Sequence, residues 1–355
     1  MPTLLSAVSC FVVVGLTIVL ALVEPVSAHF DGYVFEDDVT TMPEAVMSHH
    51  DIPALLGSHD SRLGLFGFRF DYPIVLMHGI NTSETTMDSM IDWLREIDPT
   101  VHIHNMQIDD CSHSDWLCSY LERLPLAAAE FSRNIAADPY LQNGFDIIAH
   151  SQGTVVARGY LQWYNETPVR RFISLSGPHG GYYCGSNCDM LPEPWKAVAD
   201  TFIGGLAYTD WAQADTAPAG YWKDPLRLDE YLEYSCYLAP LNCEIESARN
   251  STLAEHVTNL ELLALFGDQS DGVIMPFQSA FFGFYENGTN VVLPLERSEL
   301  YLNDYIGLAE LDRTGRLLQA TSGLPHTHYC HGDDGKAFFM NSVVPLLETK
   351  KYDSW

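Results

Sequence analysis

Basic residues are scarce in this sequence, which has 18 Lys and Arg against 47 Asp and Glu in 355 residues. The formal net charge at pH 7 is therefore −29. Nucleic acid, or an anionic membrane bound through a basic patch, requires clustered positive charge on the protein, because phosphate groups dominate such surfaces. The charge balance excludes both kinds of partner, and it does not name a substrate.

Charged residues of either sign are also few, at 18%, whereas hydrophobic residues make up 47% of the sequence. A disordered chain has the opposite balance, because it has too little apolar surface to bury. No internal repeat is visible in the sequence. The length is enough for one large α/β domain with a substantial core, or for two small domains.

The start of the chain carries no Lys or Arg, so the apolar run over residues 4–23 lacks the basic segment that usually precedes a secretory signal. Glu24-Pro25 interrupts the run, and Val26-Ser27-Ala28 is an ending of small residues that signal peptidase accepts. A retained anchor is the alternative, since about 20 apolar residues can span a bilayer. We predict a cleaved signal peptide over 1–28, with no stable membrane span after its removal.

None of the 8 cysteines forms a C-x-x-C pair, which argues against a zinc site. Cys10 lies in the predicted signal peptide. Six others form close pairs in loop-like sequence, which predicts short disulfide-closed loops in an oxidising compartment. The spacing leaves the connectivity open, and Cys330 has no nearby partner. The three pairs are Cys111/Cys118, Cys184/Cys188 and Cys236/Cys243.

N-x-S/T sequons occur at four positions and support export of the chain, with glycosylation as the expected modification. Asn287 lies in a polar turn and is the best acceptor. Asn165 is weakened by Pro168, and Asn81 falls in a loop that we assign below to the active site. The four candidates are Asn81, Asn165, Asn250 and Asn287.

Residues 29–71 show little periodicity and predict an N-terminal arm. From residue 72 onwards, short apolar runs alternate with stretches of helical spacing. This alternation predicts β-α-β units and a mostly parallel central sheet covered on both faces, which is an α/β fold. The predicted strands are 73–77, 101–108, 145–149, 172–175, 262–266 and 316–321, and the predicted helices are 87–97, 117–137 and a segment that ends at 164.

A stretch rich in Gly, Tyr, Trp, Pro and Cys, over about 178–258, interrupts the alternation between two predicted strands. Its position inside the strand–helix pattern indicates an inserted cap and not a separate domain. We therefore expect one α/β domain over 72–355 that carries this cap.

The predicted strand 145–149 leads directly into Ala149-His150-Ser151-Gln152-Gly153, and a helical segment follows. A turn from strand to helix this tight requires small residues beside the serine, whose hydroxyl is then exposed above the sheet. The usual pattern is G-x-S-x-G, and Ala149 replaces its first glycine with another small residue. The context predicts that Ser151 is the nucleophile of a serine hydrolase.

A serine nucleophile needs a histidine base and an acid to orient it, and in this fold they follow in the order Ser, acid, His. Asp268 and Asp271 both follow the predicted strand 262–266, and an aspartate in such a turn can also be a capping residue. Three histidines follow the predicted strand 316–321, and two of them are expected to be ordinary loop residues. These histidines are His326, His328 and His331.

Two backbone N–H groups are needed to stabilise the oxyanion of the tetrahedral intermediate. One belongs to the residue after the nucleophile, Gln152, and the other to the loop after an early strand, where Ile80 is the candidate. His102 and His104 project to one face of a predicted strand and raise the alternative of metal catalysis. No third ligand lies nearby in the sequence, so we predict neither a metal nor a cofactor.

The sequence resembles the palmitoyl-protein thioesterase family, and within it most of all the type 2 lysosomal thioesterases, over about residues 72–348. The element Trp222-x-Asp224-Pro225 in the insertion fits the type 2 form. The other shared motifs are Val75-Leu-Met-His-Gly79, Ser151-Gln152-Gly153, Phe172-Ile-Ser-Leu-Ser176, Asp271-Gly-Val-Ile-Met-Pro276, Gln278-Ser279, Phe281-Phe-Gly-Phe-Tyr285, Tyr301-Leu-x-Asp304-Tyr-x-Gly307-Leu308 and His326-Thr327.

The resemblance implies an α/β-hydrolase fold and a triad of Ser151, Asp271 and His326, with Ile80 and Gln152 as oxyanion donors. It further implies hydrolysis of long-chain fatty acyl thioesters, such as palmitoyl-CoA or S-palmitoylated protein, in the lysosome or after secretion. Two alternatives stay open: a lipase or esterase acting on oxygen esters, and a catalytically silent homologue that binds lipid.

Overall fold

The computed structural model describes residues 45–56, 69–80, 82–107, 119–121, 123–191, 195–203 and 205–347. Within this part of the chain, seven strands form one sheet in the order β1-β9-β6-β5-β4-β2-β3, and every neighbouring pair in it is parallel. A separate hairpin pairs β7 with β8. The strands are β1 (Met47–Ser48), β2 (Ile74–Met77), β3 (Ile103–Asn105), β4 (Phe145–His150), β5 (Val169–Leu175), β6 (Leu262–Gly267), β7 (Phe284–Tyr285), β8 (Val292–Leu293) and β9 (Leu317–Thr321).

Helices occupy the connections between the strands, as parallel β-α-β units require. Residues 119–121 are helical at the border of the described ranges. The α-helices whose bounds lie within these ranges are α1 (Ile52–Leu55), α2 (Asp88–Ile97), α3 (Leu124–Ala137), α4 (Gln152–Trp163), α5 (Trp195–Phe202), α6 (Asp210–Asp215), α7 (Leu228–Tyr234), α8 (Leu238–Leu241), α9 (Ser251–Thr258), α10 (Glu299–Leu302), α11 (Leu308–Arg313) and α12 (Gly332–Phe338).

Strands β2 and β6 carry no polar side chain and are buried at every position, because both faces of the sheet are covered. Val75 and Met77 of β2 pack into one hydrophobic core, which includes α3 and α4. Ile74 and Leu76, which alternate with them, pack into the core on the opposite face, which includes α2. The predicted fold class, an α/β fold with a mostly parallel sheet, is confirmed.

The described part of the predicted N-terminal arm contains β1, which adds a strand to the edge of the sheet by pairing Met47 with Ala320 and Ser48 with Thr321 of β9. A strand of two half-buried residues gives no periodic signal in the sequence. The pairing depends on β9, about 270 residues further along the chain, so local pattern could not reveal it.

Two other predicted elements differ in the structure. Over its described residues the predicted strand 101–108 is reduced to β3, and the predicted helix 117–137 is interrupted, because residues 119–121 are helical and α3 begins at Leu124. Pro125 lies in the first turn of α3. Proline has no N–H to donate within a helix and its φ is already helical, so it favours a helix start at this point.

The predicted insertion corresponds to the long connection between β5 and β6, which contains α5 to α9. Aromatic contacts pack much of it together. The ring of Trp222 lies 5.8 Å from that of Tyr182, 5.7 Å from that of Tyr183 and 5.6 Å from that of Phe202, between centroids. Such contacts bury large apolar areas without regular secondary structure.

The predicted signal peptide over 1–28 lies outside the described residues. Across the ranges that the structure describes, we find no helix with both the length and the apolarity to cross a bilayer.

Of the three predicted disulfides, the described part of the structure contains one. Cys184 and Cys188 form a disulfide, whereas Cys111 and Cys118 lie outside the described residues. The prediction of a disulfide between Cys236 and Cys243 is wrong, because both cysteines are free. Helix α8 lies between these two cysteines in the sequence, and their thiols donate to different backbone carbonyls. Cys236 donates to Gln213 O at 3.2 Å, and Cys243 donates to Ala248 O at 3.7 Å. Cys330 is free and buried.

The sequons lie in different surroundings. Asn287 is exposed in the turn between β7 and β8. Asn250 is exposed and caps α9 by accepting a hydrogen bond from Thr252 N at 3.0 Å. Asn165 is half-buried in a left-handed turn with its side-chain oxygen enclosed, and Asn81 lies outside the described residues. Asn287 therefore stays the most accessible candidate of the three that are described.

Candidate active site

Ser151 lies at a sharp turn between β4 and α4. Its φ of 56° and ψ of −132° are unusual for a residue with a side chain, and such strain is typical of functional positions. The Ser151 N–H donates to Leu175 O of β5 at 2.9 Å, which ties the turn to the sheet. The strand and the helix that the sequence predicted on either side of Ser151 are both present.

Glycines make the turn possible because the backbone around it is crowded. A Cβ on Gly153 would lie 2.2 Å from His78 O, and a Cβ on Gly79 would lie 2.7 Å from the Cβ of Ser151. Ala149, which replaces the first glycine of the usual motif, is fully buried in β4. The fold therefore accommodates a methyl group before the serine but leaves no space for one after it.

The structure brings Ser151, His326 and Asp271 into one hydrogen-bonded series. His326 Nε2 lies 2.9 Å from Ser151 Oγ, and His326 Nδ1 lies 2.8 Å from Asp271 Oδ2. All three side chains are buried. With the proton on Nδ1, the imidazole donates to the carboxylate and its Nε2 can accept the serine proton. This is the arrangement that general-base activation of a serine requires.

Asp271 is held by several donors from its own loop and from the end of β5. Its Oδ1 accepts from Val273 N at 2.9 Å and Ile274 N at 2.7 Å, and its Oδ2 also accepts from the hydroxyl of Ser176. Burial alone would raise the pKa of Asp271, but the charge of His326 and these hydrogen bonds together lower it below its usual value. The carboxylate therefore stays ionised beside the histidine.

The competing candidates lie elsewhere. Asp268 accepts from Ser270 N at 2.9 Å, which is a turn-capping contact, and from Gly323 N at 2.7 Å, in the turn that follows β9. His328 is bonded to Asp334 at 2.6 Å on the surface, and His331 is exposed beside His328.

Both predicted oxyanion donors belong to segments next to the nucleophile. Gln152 is the first residue of α4, so its N–H is one of those that an α-helix leaves without an internal acceptor. Ile80 is buried directly after Gly79, the residue that abuts Ser151. The N-terminal end of α4 adds a partial positive charge at the same place.

Sequence reasoning assigned no role to His150, which supports the triad. His150 is buried, its Nε2–H donates to the backbone carbonyl of His326 at 2.9 Å, and the two rings lie 4.7 Å apart. Burial lowers the pKa of His150 to about 3, so the ring stays neutral. Ser176, which holds Asp271, was likewise given no role. The one available signal was that both are polar residues at the carboxyl ends of adjacent parallel strands.

A narrow apolar cavity opens beside the nucleophile. Ser151 and Gln152 form one wall, and Val273 and Ile274 from the loop after Asp271 form another. The insertion supplies the remaining wall. Its contribution consists of Pro178, Tyr182, Pro218, Tyr221 and Trp222. The cavity measures ≈ 400 Å³ with the solvent at its mouth included.

The histidines considered for a metal site have a third neighbour that the sequence did not indicate. Asp138, at the end of α3, places one carboxylate oxygen 2.8 Å from His102 Nε2 and 2.8 Å from His104 Nδ1. These are hydrogen-bond distances around a shared acceptor. In the part of the chain that the structure describes, no group of three such side chains is arranged to hold a metal ion.

Comparisons with known proteins point to one family. The sequence matches the family model for palmitoyl protein thioesterase over residues 73–326. It is 34% identical over 277 residues to palmitoyl-protein thioesterase 3 of Dictyostelium discoideum, covering 78% of this chain and 92% of that protein. It is 29% identical to the lysosomal thioesterase PPT2 homolog of Drosophila melanogaster, with 78% and 92% covered. Identity to human lysosomal thioesterase PPT2 is 29%, with 78% and 87% covered.

Proposed function

This chain belongs to the palmitoyl protein thioesterase family, and we propose that it hydrolyses long-chain fatty acyl thioesters by acyl transfer through Ser151. Palmitoyl-CoA and S-palmitoylated proteins or peptides are the proposed substrates. The observation that carries the proposal is the buried, hydrogen-bonded series Ser151–His326–Asp271 beside an apolar cavity, in a chain that matches the family model across all three residues.

The proposed reaction begins when His326 Nε2 takes the hydroxyl proton as Ser151 Oγ attacks the thioester carbonyl. Asp271 stabilises the imidazolium that forms. The N–H groups of Ile80 and Gln152 donate to the oxyanion of the tetrahedral intermediate. The carbon–sulfur bond then breaks, His326 protonates the departing thiolate, and the acyl group stays on Ser151.

Deacylation repeats the same steps with water as the nucleophile. His326 takes a proton from water, the hydroxide attacks the acyl-enzyme carbonyl, and Ser151 leaves with the proton from His326. The products are a fatty acid and a regenerated serine. Every proton transfer uses one imidazole, so the proposed mechanism requires no cofactor.

The test is hydrolysis of palmitoyl-CoA, an S-palmitoyl peptide and a matched palmitoyl oxygen ester by the purified protein, together with labelling by a fluorophosphonate. We expect the label on Ser151 and a higher kcat/KM for the thioesters than for the oxygen ester. A faster rate on the oxygen ester would instead identify an esterase or lipase. Absence of both labelling and turnover would identify a silent lipid-binding protein.

We further propose that the chain enters the secretory pathway and acts in the lysosome or outside the cell, since relatives are named lysosomal thioesterases. The exposed Asn287 and Asn250 support this, because glycosylation requires accessible sequons. Expression in animal cells should give a protein whose mass falls on treatment with a glycosidase. Replacement of Asn287 and Asn250 by Gln should remove most of that change, and an untreated protein of unmodified mass would contradict the proposal.

A further inference from the structure

Two polar side chains in the wall of the active-site cavity have no hydrogen-bond partner among the residues that the structure describes. Tyr182 and Trp222 both line the cavity beside Ser151. Each is at least nine-tenths buried, with exposed fractions of 7% and 1%. The hydroxyl of Tyr182 and the indole N–H of Trp222 are enclosed and find no acceptor among the described residues.

These two groups cannot easily turn elsewhere, because the backbone beneath them is fixed. Tyr182 and Trp222 face each other in a short parallel bridge. Tyr182 N donates to Tyr221 O at 2.9 Å, and Lys223 N donates to Tyr182 O at 3.0 Å. A buried donor without an acceptor destabilises the folded protein, and native proteins leave few such groups without a reason. The pair therefore indicates a ligand that supplies the missing acceptor.

The position of the cavity indicates which part of a thioester enters it. The departing thiol must lie beside His326, because His326 Nε2 protonates it. The cavity is lined by Ser151 and Gln152, on the side of the carbonyl and its oxyanion, and His326 is not part of its lining. The acyl group is therefore the part of the substrate that faces Tyr182 and Trp222.

The residues that line the cavity limit which chemical groups of a substrate can accept these hydrogen bonds. The lining that the structure describes contains no Lys, Arg, His, Asp or Glu side chain. A carboxylate or phosphate on the acyl chain would have no charged partner here, and burying an unpaired charge is costly. A neutral oxygen can accept from the Tyr182 hydroxyl and the Trp222 N–H. Burial raises the pKa of Tyr182, so its hydroxyl keeps the proton that it donates.

We propose that this cavity selects acyl groups that carry a neutral oxygen, such as a hydroxyl on the fatty chain, and binds that oxygen through Tyr182 and Trp222. The inference rests on the proposed thioesterase function and names its acyl class. A plain saturated chain fits the apolar walls but leaves both donors without a partner. Sites built to bind a substrate hydroxyl discriminate strongly against analogues that lack it, for this reason.

The test compares palmitoyl-CoA with a set of isomers, each hydroxylated at a different carbon of the chain, for the wild type, Tyr182→Phe and Trp222→Phe. We expect at least one isomer to exceed palmitoyl-CoA in kcat/KM by about tenfold in the wild type, and this ratio to fall close to one in each variant. The ratio is the readout because a general loss of folded protein lowers both rates equally.

Tyr221→Phe is the matched control. Tyr221 lines the same cavity, but its hydroxyl already has a partner, Gln152 Oε1 at 3.1 Å. Removing it should affect all acyl chains alike and leave the ratio at its wild-type value.

Two results would overturn the inference, and they can be told apart. If the wild type hydrolyses palmitoyl-CoA and prefers no hydroxylated isomer, or if the Phe variants keep the preference, the two donors bind water only and the thioesterase proposal stands. If the wild type hydrolyses no thioester of the set, the proposed function fails together with the inference.

Discussion

Two regions of the site differ in whether their buried polar groups have hydrogen-bond partners. One is the end of the sheet formed by the carboxyl ends of its strands, which carries the proposed triad, and the other is the insertion that lines the cavity. Each triad residue follows a strand end and has its partners in place, including Ser151 with His326 and Asp271 with three further donors. In the wall of the same cavity, Tyr182 and Trp222 are buried, and the described part of the chain offers them no acceptor. The proposed catalytic series is therefore already hydrogen-bonded, whereas the two donors of the insertion would, on our proposal, gain their acceptor from the substrate.

The two regions also differ in how they are built. Parallel strands with both faces covered fix the triad, because the carboxyl ends of neighbouring strands meet at one edge. Within the described part of the insertion no helix is longer than eight residues, and aromatic contacts give it shape. We expect substitutions at the sheet edge to change the rate of chemistry, and substitutions in the insertion to change selectivity and stability.

The largest expected effect is that of Ser151→Ala. Because the nucleophile is lost, kcat on palmitoyl-CoA should fall by roughly 10⁴- to 10⁶-fold, with loss of fluorophosphonate labelling. The thermal unfolding midpoint should stay close to that of the wild type, since one hydroxyl is removed from a turn that β5 and α4 already hold. Hydrolysis at a wild-type rate would show that another residue attacks the substrate.

Asp271→Asn comes next, with Asp268→Asn as its matched control from the same loop. A neutral amide in place of the Asp271 carboxylate would no longer fix the histidine tautomer or stabilise its cation, so kcat should fall by roughly 10³- to 10⁴-fold. The hydrogen bonds of Asp268 are to Ser270 in its own turn and to Gly323 in the turn after β9. Because Asp268 is not part of the series from Ser151 to Asp271, its replacement should lower kcat much less than that of Asp271. Steady-state kinetics of both variants decides the assignment, and equal losses would contradict it.

Substitution of His150 tests whether its hydrogen bond to the backbone of His326 depends on a neutral imidazole. The unfolded His150 takes up a proton near pH 6.5, whereas the folded one does so only near its lowered pKa of about 3. Stability that depends on this ring is therefore present above pH 6.5 and decreases as the pH falls towards 3. Between pH 7 and pH 4.5, the free energy of unfolding of His150→Phe should therefore fall by about 2–3 kcal/mol less than that of the wild type, because phenylalanine does not titrate.

Urea unfolding of both proteins at the two pH values measures that difference. His150→Gln keeps an N–H for the carbonyl of His326 but does not titrate either, so it should match His150→Phe in acid stability and exceed it in kcat. A stability difference between wild type and His150→Phe that is the same at both pH values would contradict the role of burial.

Much of the sheet could be predicted from the sequence because its strands contain short, mainly apolar runs. The runs at 145–149 and 262–266 correspond to β4 and β6 within one residue. The small residues around Ser151 also predicted the tight turn, because the turn leaves space only for small side chains beside the serine. In both cases the physical cause lies within a few residues of its effect.

The remainder of the site depends on contacts between distant residues. The choice of Asp271 over Asp268, and of His326 over its neighbours, came from the family resemblance and not from local pattern. The roles of His150 and Ser176 arise from contacts with residues 176 and 95 positions away. Tyr182 and Trp222 were part of an aromatic-rich stretch whose packing no periodicity describes.

The smallest expected effect concerns the covalent support of the insertion. A disulfide that closes a loop as short as Cys184–Cys188 restricts the unfolded chain only slightly, so the double variant Cys184→Ser/Cys188→Ser should lose about 1–2 kcal/mol of unfolding free energy. Cys236→Ser, which replaces an exposed free thiol of the same insertion, should lose less than about 0.5 kcal/mol. Chemical denaturation in the absence of reductant compares the two. A larger loss in Cys236→Ser would indicate that this thiol is paired in the native protein, and the insertion would then be more strongly cross-linked than the sheet edge it covers.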